Sequence, residues 1–418
     1  MRRRDFLKNS TAMMAVVALA PHRFAKEPRR IDAAWYRRSR RFAELPVSRV
    51  AYAERGRGPA ALFVHGYPLN GFQWRGALER LHAHRRCIAP DLMGMGFTQT
   101  PEGQTISPAT QATMLAMLLD ALHIGAVDLV ANDSGGAVAQ LFLAKYPRRV
   151  RTLLLTSCDV DEKTVEAALR AQIPYLDVAA EIEVVAATFE QYADRARQAG
   201  IVIVPAMAFY GGLGDLLATA AMWDWPAADE ICIAYGLSSW KPTPGTRATT
   251  QVSKQRRDGR RIVFSNRRME FRTDDAPILD WTFPAPVGKQ AVVGEFTMAD
   301  SVTIPSHLST PEIRSYMTVA AVKDLSDPDL SPAATDESGR SSQTFLVEVV
   351  ARLGGAERRA TASGRDIYAI SAPLVVEATE RVVSGRFKKT GVAAAGEAFV
   401  ARDFLRSLSP EHLSIEIQ

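Results

Sequence analysis

At 418 residues, with 47% hydrophobic and 23% charged side chains, the chain has ordinary globular composition and can bury one large core or two medium ones. Residues 1–50 carry a net +9 and the other 368 sum to −4, so the overall +5 is not a basic groove of the folded part and argues against a nucleic-acid partner. Cys87, Cys158 and Cys232 lie far apart with no metal-ligand spacing, so they read as buried thiols, with no metal or cofactor site implied.

The chain opens Arg3-Arg4-Asp5-Phe6-Leu7-Lys8, followed by the mildly apolar stretch Ser10 to Ala20. This resembles a twin-arginine export signal, with small residues for cleavage at Ala18-Leu19-Ala20. The resemblance implies recognition by the export machinery, a signal and linker over 1–30, and a periplasmic or exported mature chain. The apolar stretch is too short for a stable membrane anchor, and no later stretch is long and apolar enough to cross a bilayer.

After a basic linker to about Arg41, strand-like and helical stretches alternate. Arg49 to Glu54, Ala60 to Val64, Arg86 to Pro90, Val127 to Ala131 and Val150 to Thr156 read as strands, several of them of the fully buried kind. Pro108 to Leu122 has apolar residues at helical spacing, and a second helix runs to Tyr146. The first strands end in turns carrying glycine and proline: His65-Gly66-Tyr67-Pro68 and Asp91-Leu92-Met93-Gly94-Met95-Gly96.

Between a strand and a helix stands Asn132-Asp133-Ser134-Gly135-Gly136. A sharp strand-turn-helix crowds the positions two before and two after its apex, so both must be small. With Asp133 at the apex they are Ala131 and Gly135, which fit. With Ser134 they are Asn132 and Gly136, and asparagine fits poorly, so Asp133 is the favoured nucleophile. Over residues 42–160 these motifs resemble the aspartate-nucleophile branch of the α/β-hydrolases, the haloalkane dehalogenase and epoxide hydrolase relatives. The resemblance implies that Asp133 attacks carbon to form an alkyl ester of a small-molecule substrate. It also implies an oxyanion hole made by the backbone N–H groups of Tyr67 and Ser134, with His65 and Gly66 shaping that loop. Trp74 lies where this branch often lines its pocket, and reads equally well as a packed core residue. Asp159 stands where some relatives place the orienting acid, and reads also as a turn or helix-cap residue. Dehalogenases of this branch usually carry tryptophan directly after the nucleophile. Ser134 stands there instead, which puts halide release in doubt.

An alkyl ester needs water activated by a base, normally histidine. After the elbow only His307 and His412 exist, neither following a strand, and both read as solvated or capping residues. From about Thr164 the chain resembles the saccharopine dehydrogenase-like reductases, on Val165-Glu166-Ala167-Ala168-Leu169, Tyr175 to Glu181, Ala199 to Pro205 and Phe209 to Asp215. The phosphate-holding glycine loop expected of a dinucleotide fold is missing. Gly211-Gly212-Leu213-Gly214 comes too late with the wrong spacing, and reads as a tight loop entering a helix.

Each part thus carries a piece of its parent, joined near Asp159 to Lys163. The helices Lys163 to Ala171 and Glu181 to Ala199 should carry the strands Tyr175 to Val178 and Ile201 to Val204 to the edge of the hydrolase sheet. The expected fold is α/β: a mainly parallel hydrolase-like sheet over 42–160, completed by βα units over 161–225, plus an α+β domain with an antiparallel sheet over 226–418. In that last region Asp229 to Leu237, Arg261 to Phe264, Asp280 to Phe283 and the hairpin Phe345 to Ala351 with Arg358 to Ser363 read as strands. Leu374 to Val383 and Arg402 to Leu408 read as helices, and Thr243 to Asp258 and Ser326 to Ser342 as loops. Three functions follow: an exported hydrolase acting through Asp133 with its base missing, an NAD(P)-dependent oxidoreductase, and an inert fusion of two partial domains.

Overall fold

Short apolar runs bounded by turn residues become the strands of a parallel sheet in the computed structural model, which describes residues 31–418 except 157, 159–161, 180, 334 and 336–339. The expected export signal and Asp159 lie outside the described residues. The strands are β1 (Arg41–Leu45), β2 (Ser48–Arg55), β3 (Ala60–Val64), β4 (Arg86–Pro90), β5 (Val127–Asn132), β6 (Val150–Thr156), β7 (Tyr175–Asp177) and β8 (Val202–Val204). They lie in the order β1-β2-β4-β3-β5-β6-β7-β8, with Gly391–Val392 as a ninth strand beside β8. β1 and β2 are antiparallel additions, and every pair from β4–β3 onward is parallel.

Alternation along each strand assigns its two faces. Leu62 and Val64 of β3 share one apolar layer with Leu115, Phe142, Val165 and Tyr192, one from each of the helices Pro108–Ala121, Ser134–Lys145, Glu162–Ala171 and Ile182–Gln198. Ala61 and Phe63 face the opposite layer, where Leu78, Leu374 and Phe404 pack with the helix Gly212–Met222. The expected βα units are present: Glu162–Ala171 leads from β6 to β7 and Ile182–Gln198 from β7 to β8, so the sheet continues past β6.

The second sheet comprises β9 (Glu230–Leu237), β10 (Arg261–Ser265), β11 (Arg268–Arg272), β12 (Ile278–Thr282), β13 (Lys289–Gly294), β14 (Ile313–Thr318), β15 (Thr344–Leu353), β16 (Ala356–Arg365) and, at the end of the chain, Ser414–Ile417. It is mostly antiparallel, the exception being β9 with β14. The β15–β16 hairpin turns at Gly354 and Gly355, both with positive φ, where glycine carries no steric penalty. Three expectations for this region need correction. The loop read over Thr243 to Asp258 is the helix Pro244–Arg256, started by proline in its first turn and by Thr243, whose hydroxyl accepts the Thr246 N–H. Its polar surface hides the helical period. Ser326 ends a helix that begins at Val319, and Asp280 to Phe283 becomes Ile278–Thr282 with Phe283 beyond the strand. β14 was unread because Ile-Arg-Ser-Tyr-Met-Thr alternates only in part.

One helix joins the two sheets. Gly212–Met222 is buried along nearly its whole length, its leucines and alanines filling the layer between the sheets. Its glycine-rich start admits a carboxylate: Gly211 N–H donates to Asp300 Oδ2 at 3.2 Å, and any Cβ on Gly214 would collide with Asp300 Oδ1. Tyr235 Oη donates to the same carboxyl at 3.1 Å. The site a phosphate would take at a helix start is filled by the chain's own aspartate. A second tie is ionic: Glu377 accepts from Arg381 Nε at 2.8 Å and pairs with Arg80 of the helix Arg75–Leu81.

Two predictions follow from these contacts. Burial pushes the Asp300 carboxyl up to about 7, with the neighbouring Asp215 adding to it. A raised folded value means that folding takes up a proton, so this contribution is full below about pH 4 and is lost as pH rises through 7. Asp300→Asn, neutral at every pH, should therefore flatten the fall of the unfolding free energy with pH by about 1 kcal/mol per pH unit between 5 and 7, measured by chemical denaturation of both proteins across that range. Glu377→Ala removes the partner of Arg80 and of Arg381 Nε, leaving the nearly buried Arg381 with Asp403 alone, and should cost about 3 kcal/mol in chemical denaturation.

Candidate active site at the elbow after β5

β5 ends at Asn132 and the helix Ser134–Lys145 begins two residues later, so Asp133 must turn the chain alone. It does so at φ 53° and ψ −132°, a backbone position that costs a non-glycine residue of order 1–3 kcal/mol and that needs close support. Gly66 supplies part of it, since a Cβ there would stand 2.5 Å from Asp133 Cβ. Gly135 supplies the rest, because a Cβ there would run into the carbonyls of His65 and Val64. The small-neighbour rule thus selects Asp133 as the apex, with Ser134 as the first residue of the helix.

The loop after β3 is held over this apex. His65 is fully buried: its Nε2 accepts the Leu92 N–H at 2.9 Å, so Nδ1 carries the proton and donates to the Gly66 carbonyl at 2.9 Å. Burial lowers its pKa, the Gly66 contact opposing, and the neutral ring ties the loop after β3 to that after β4. Asp91 anchors the second loop, accepting from Tyr36 Oη, Gly71 N–H and Phe97 N–H, each at 2.8 Å. Gly66 N–H donates to Gln73 Oε1 at 3.2 Å, Gln73 Nε2 donates to Asn132 Oδ1, and Asn132 Nδ2 reaches the Thr156 carbonyl at 3.1 Å. A side-chain chain therefore runs from the loop after β3 across the elbow to the end of β6. Gln73 and its role were invisible in the sequence, because amides carry no motif.

Asp133 and Ser134 are exposed, and Tyr67 is 70% exposed. Ser134 N–H donates to Asp133 Oδ1, and Tyr67 N–H donates to Ser134 Oγ at 2.8 Å. The structure thus brings together Gly66, Tyr67, Asp133 and Ser134, with His65 behind them. Trp74 is half-buried against Phe63, ring centroids 5.5 Å apart, packed into the core between the sheets.

Neither later histidine hydrogen-bonds Asp133. His307, expected solvated or capping, is instead half-buried with its side chain only 8% exposed, its Nε2 2.7 Å from Asp215 Oδ1 on the helix Gly212–Met222. Burial alone would lower its pKa, but the Asp215 carboxylate outweighs this and raises it. The buried position follows from packing against a helix that the sequence placed only in outline. His412 is half-buried beside Glu411, with Nδ1 unpartnered. A carboxyl not singled out in the sequence sits at the end of β7: Asp177 is buried, accepts the N–H groups of Ala179 and Ala206 at 3.0 Å each, and is pushed by burial up to about 6. Cys87 and Cys232 are buried thiols raised by burial to about 12 and about 11, while Cys158 is half-buried. Among the described residues no cluster suits a metal ion, and no helix is long and apolar enough to cross a membrane.

Residues 59–181 match the α/β hydrolase fold family. A 2-hydroxy-6-oxo-2,4-heptadienoate hydrolase of Pseudomonas putida is 42% identical over 103 residues, 24% of this chain and 37% of that protein. A haloalkane dehalogenase of Mesorhizobium japonicum is 38% identical over 111 residues, 26% of this chain and 36% of that protein. The chain thus spans little more than a third of the length of these relatives. A solved epoxide hydrolase from Vigna radiata is 29% identical and covers 28% of this chain and 38% of its own, with a TM-score of 0.27, too partial a likeness to carry an argument. The family match ends at residue 181, so the resemblance of the later chain to saccharopine dehydrogenase-like reductases rests on sequence motifs alone. The N-terminal region is an α/β hydrolase fold, similar in sequence to a 2-hydroxy-6-oxo-2,4-heptadienoate hydrolase and to haloalkane dehalogenases.

Proposed function

We propose that Asp133 is a nucleophile that attacks carbon in a small haloalkane or epoxide, and that the resulting alkyl ester is long-lived. The carrying observation is the strained, exposed apex at φ 53° with the Ser134 N–H on its carboxylate. Strain and exposure together present one oxygen outward while the other is held by the backbone. With an epoxide, Asp133 oxygen bonds to ring carbon, the ring C–O bond breaks, and solvent protonates the alkoxide. With a haloalkane, halide leaves and the enzyme gains the alkyl group. Breakdown of either ester requires water, and among the described residues no histidine stands at Asp133 to activate it, so turnover is slow.

The relatives named above act on small organic molecules, which agrees with this substrate class. A nicotinamide-dependent reading has no such support, because the glycine-rich start of Gly212–Met222 is filled by Asp300. Export of the chain, and hence work outside the cytoplasm, rests on the arginine pair and the short apolar stretch at its beginning.

Intact-mass spectrometry after exposure to a panel of short haloalkanes and epoxides tests the proposal. One adduct of alkyl or epoxide mass per chain is expected, persisting for many minutes and absent in Asp133→Ala. An adduct retained by Asp133→Ala, or none in the native chain, would sink it.

A further inference from the structure

The oxyanion donors are not both free in the resting site. Tyr67 N–H is taken by Ser134 Oγ at 2.8 Å, while Ser134 N–H lies on Asp133 Oδ1. Both side chains are exposed, so packing of Tyr67 or Ser134 does not force the contact. The backbone does. Gly66 N–H is tied to Gln73 Oε1 at 3.2 Å, and the Gly66 backbone lies against Asp133. The loop is therefore fixed with the Tyr67 N–H directed at the first residue of the helix, where a hydroxyl waits.

We propose that the Ser134 hydroxyl is a plug: it occupies the Tyr67 donor and so slows breakdown of the Asp133 ester. This rests on the reading of Asp133 as the nucleophile. In breakdown, the oxygen of water bonds to Cγ of the ester and the carbonyl oxygen takes up negative charge. The bond from Cγ to the alkyl oxygen then breaks, and the proton lost by water ends on the released alcohol. Two N–H donors on the charged oxygen stabilise this step. With Ser134 Oγ on Tyr67, only the Ser134 N–H is in place until the hydroxyl rotates away, at the cost of one hydrogen bond. Ser134 is thus a positioning residue, acting through the Tyr67 amide, and it sets the lifetime of the ester rather than the rate of its formation.

Ser134→Ala, compared with the native chain, tests the plug by two readouts. Amide exchange at Tyr67 needs no activity: it should be about tenfold faster in the variant, since an exposed amide loses its one acceptor. Unchanged exchange overturns the proposal. The second readout is loss of the Asp133 adduct by intact mass, followed on chains that already carry it and expected to be about fivefold faster in the variant. Slower or unchanged loss shows that the hydroxyl assists or is idle, and overturns the proposal. If the native chain forms no adduct, the nucleophile reading fails and the plug falls with it, whereas an adduct with unchanged Tyr67 exchange overturns the plug alone.

Discussion

Everything at the elbow depends on how closely three backbone segments approach Asp133. A non-glycine residue at positive φ is held only where its surroundings leave no alternative. Here Gly66 lies against its side chain, and Gly135 lets the helix start press on the carbonyls of Val64 and His65. His65 closes the arrangement from behind, because its two ring nitrogens tie the loop after β3 to the loop after β4. The Asp133 carboxylate is therefore the exposed end of a buried backbone knot.

That exposure decides what chemistry the site can support. Hydrogen bonds to developing charge gain most where water is excluded, and Asp133, Ser134 and Tyr67 all face solvent. An open site still allows in-line attack on carbon, since that step needs a positioned carboxylate and a leaving group. It serves ester breakdown less well, because that step needs a directed water, a base and two donors at once. The geometry favours capture over turnover.

The first sheet was legible in the sequence because its strands are buried on both faces. Ala60 to Val64 and Val150 to Thr156 read as uninterrupted apolar runs, and their turns announce themselves by glycine and proline. The apex at Asp133 was legible too, since only small residues fit two positions either side. Other features carry no local signal. Asn132 looked like a misfit beside Ser134, yet its amide is the middle of the chain from Gln73 to Thr156. The helix Pro244–Arg256 is polar on all sides and shows no apolar period, and β14 pairs in parallel with β9 across a long stretch of chain. Such pairings belong to topology, which periodicity cannot report.

The second half pairs His307 with Asp215 and not with Asp133. The chain leaving β8 runs to the glycine-rich start of Gly212–Met222, the helix that fills the space between the two sheets. Along that helix the polar groups satisfy one another: Asp215 holds His307 and the Gly396 N–H, and the loop before it gives Gly211 N–H to Asp300. Asp215 is fully buried, so loss of His307 would leave it with the Gly396 N–H alone, a larger cost than one hydrogen bond at a solvent-facing site returns. His307 is therefore committed to the junction between the sheets, where the packing of Gly212–Met222 holds it.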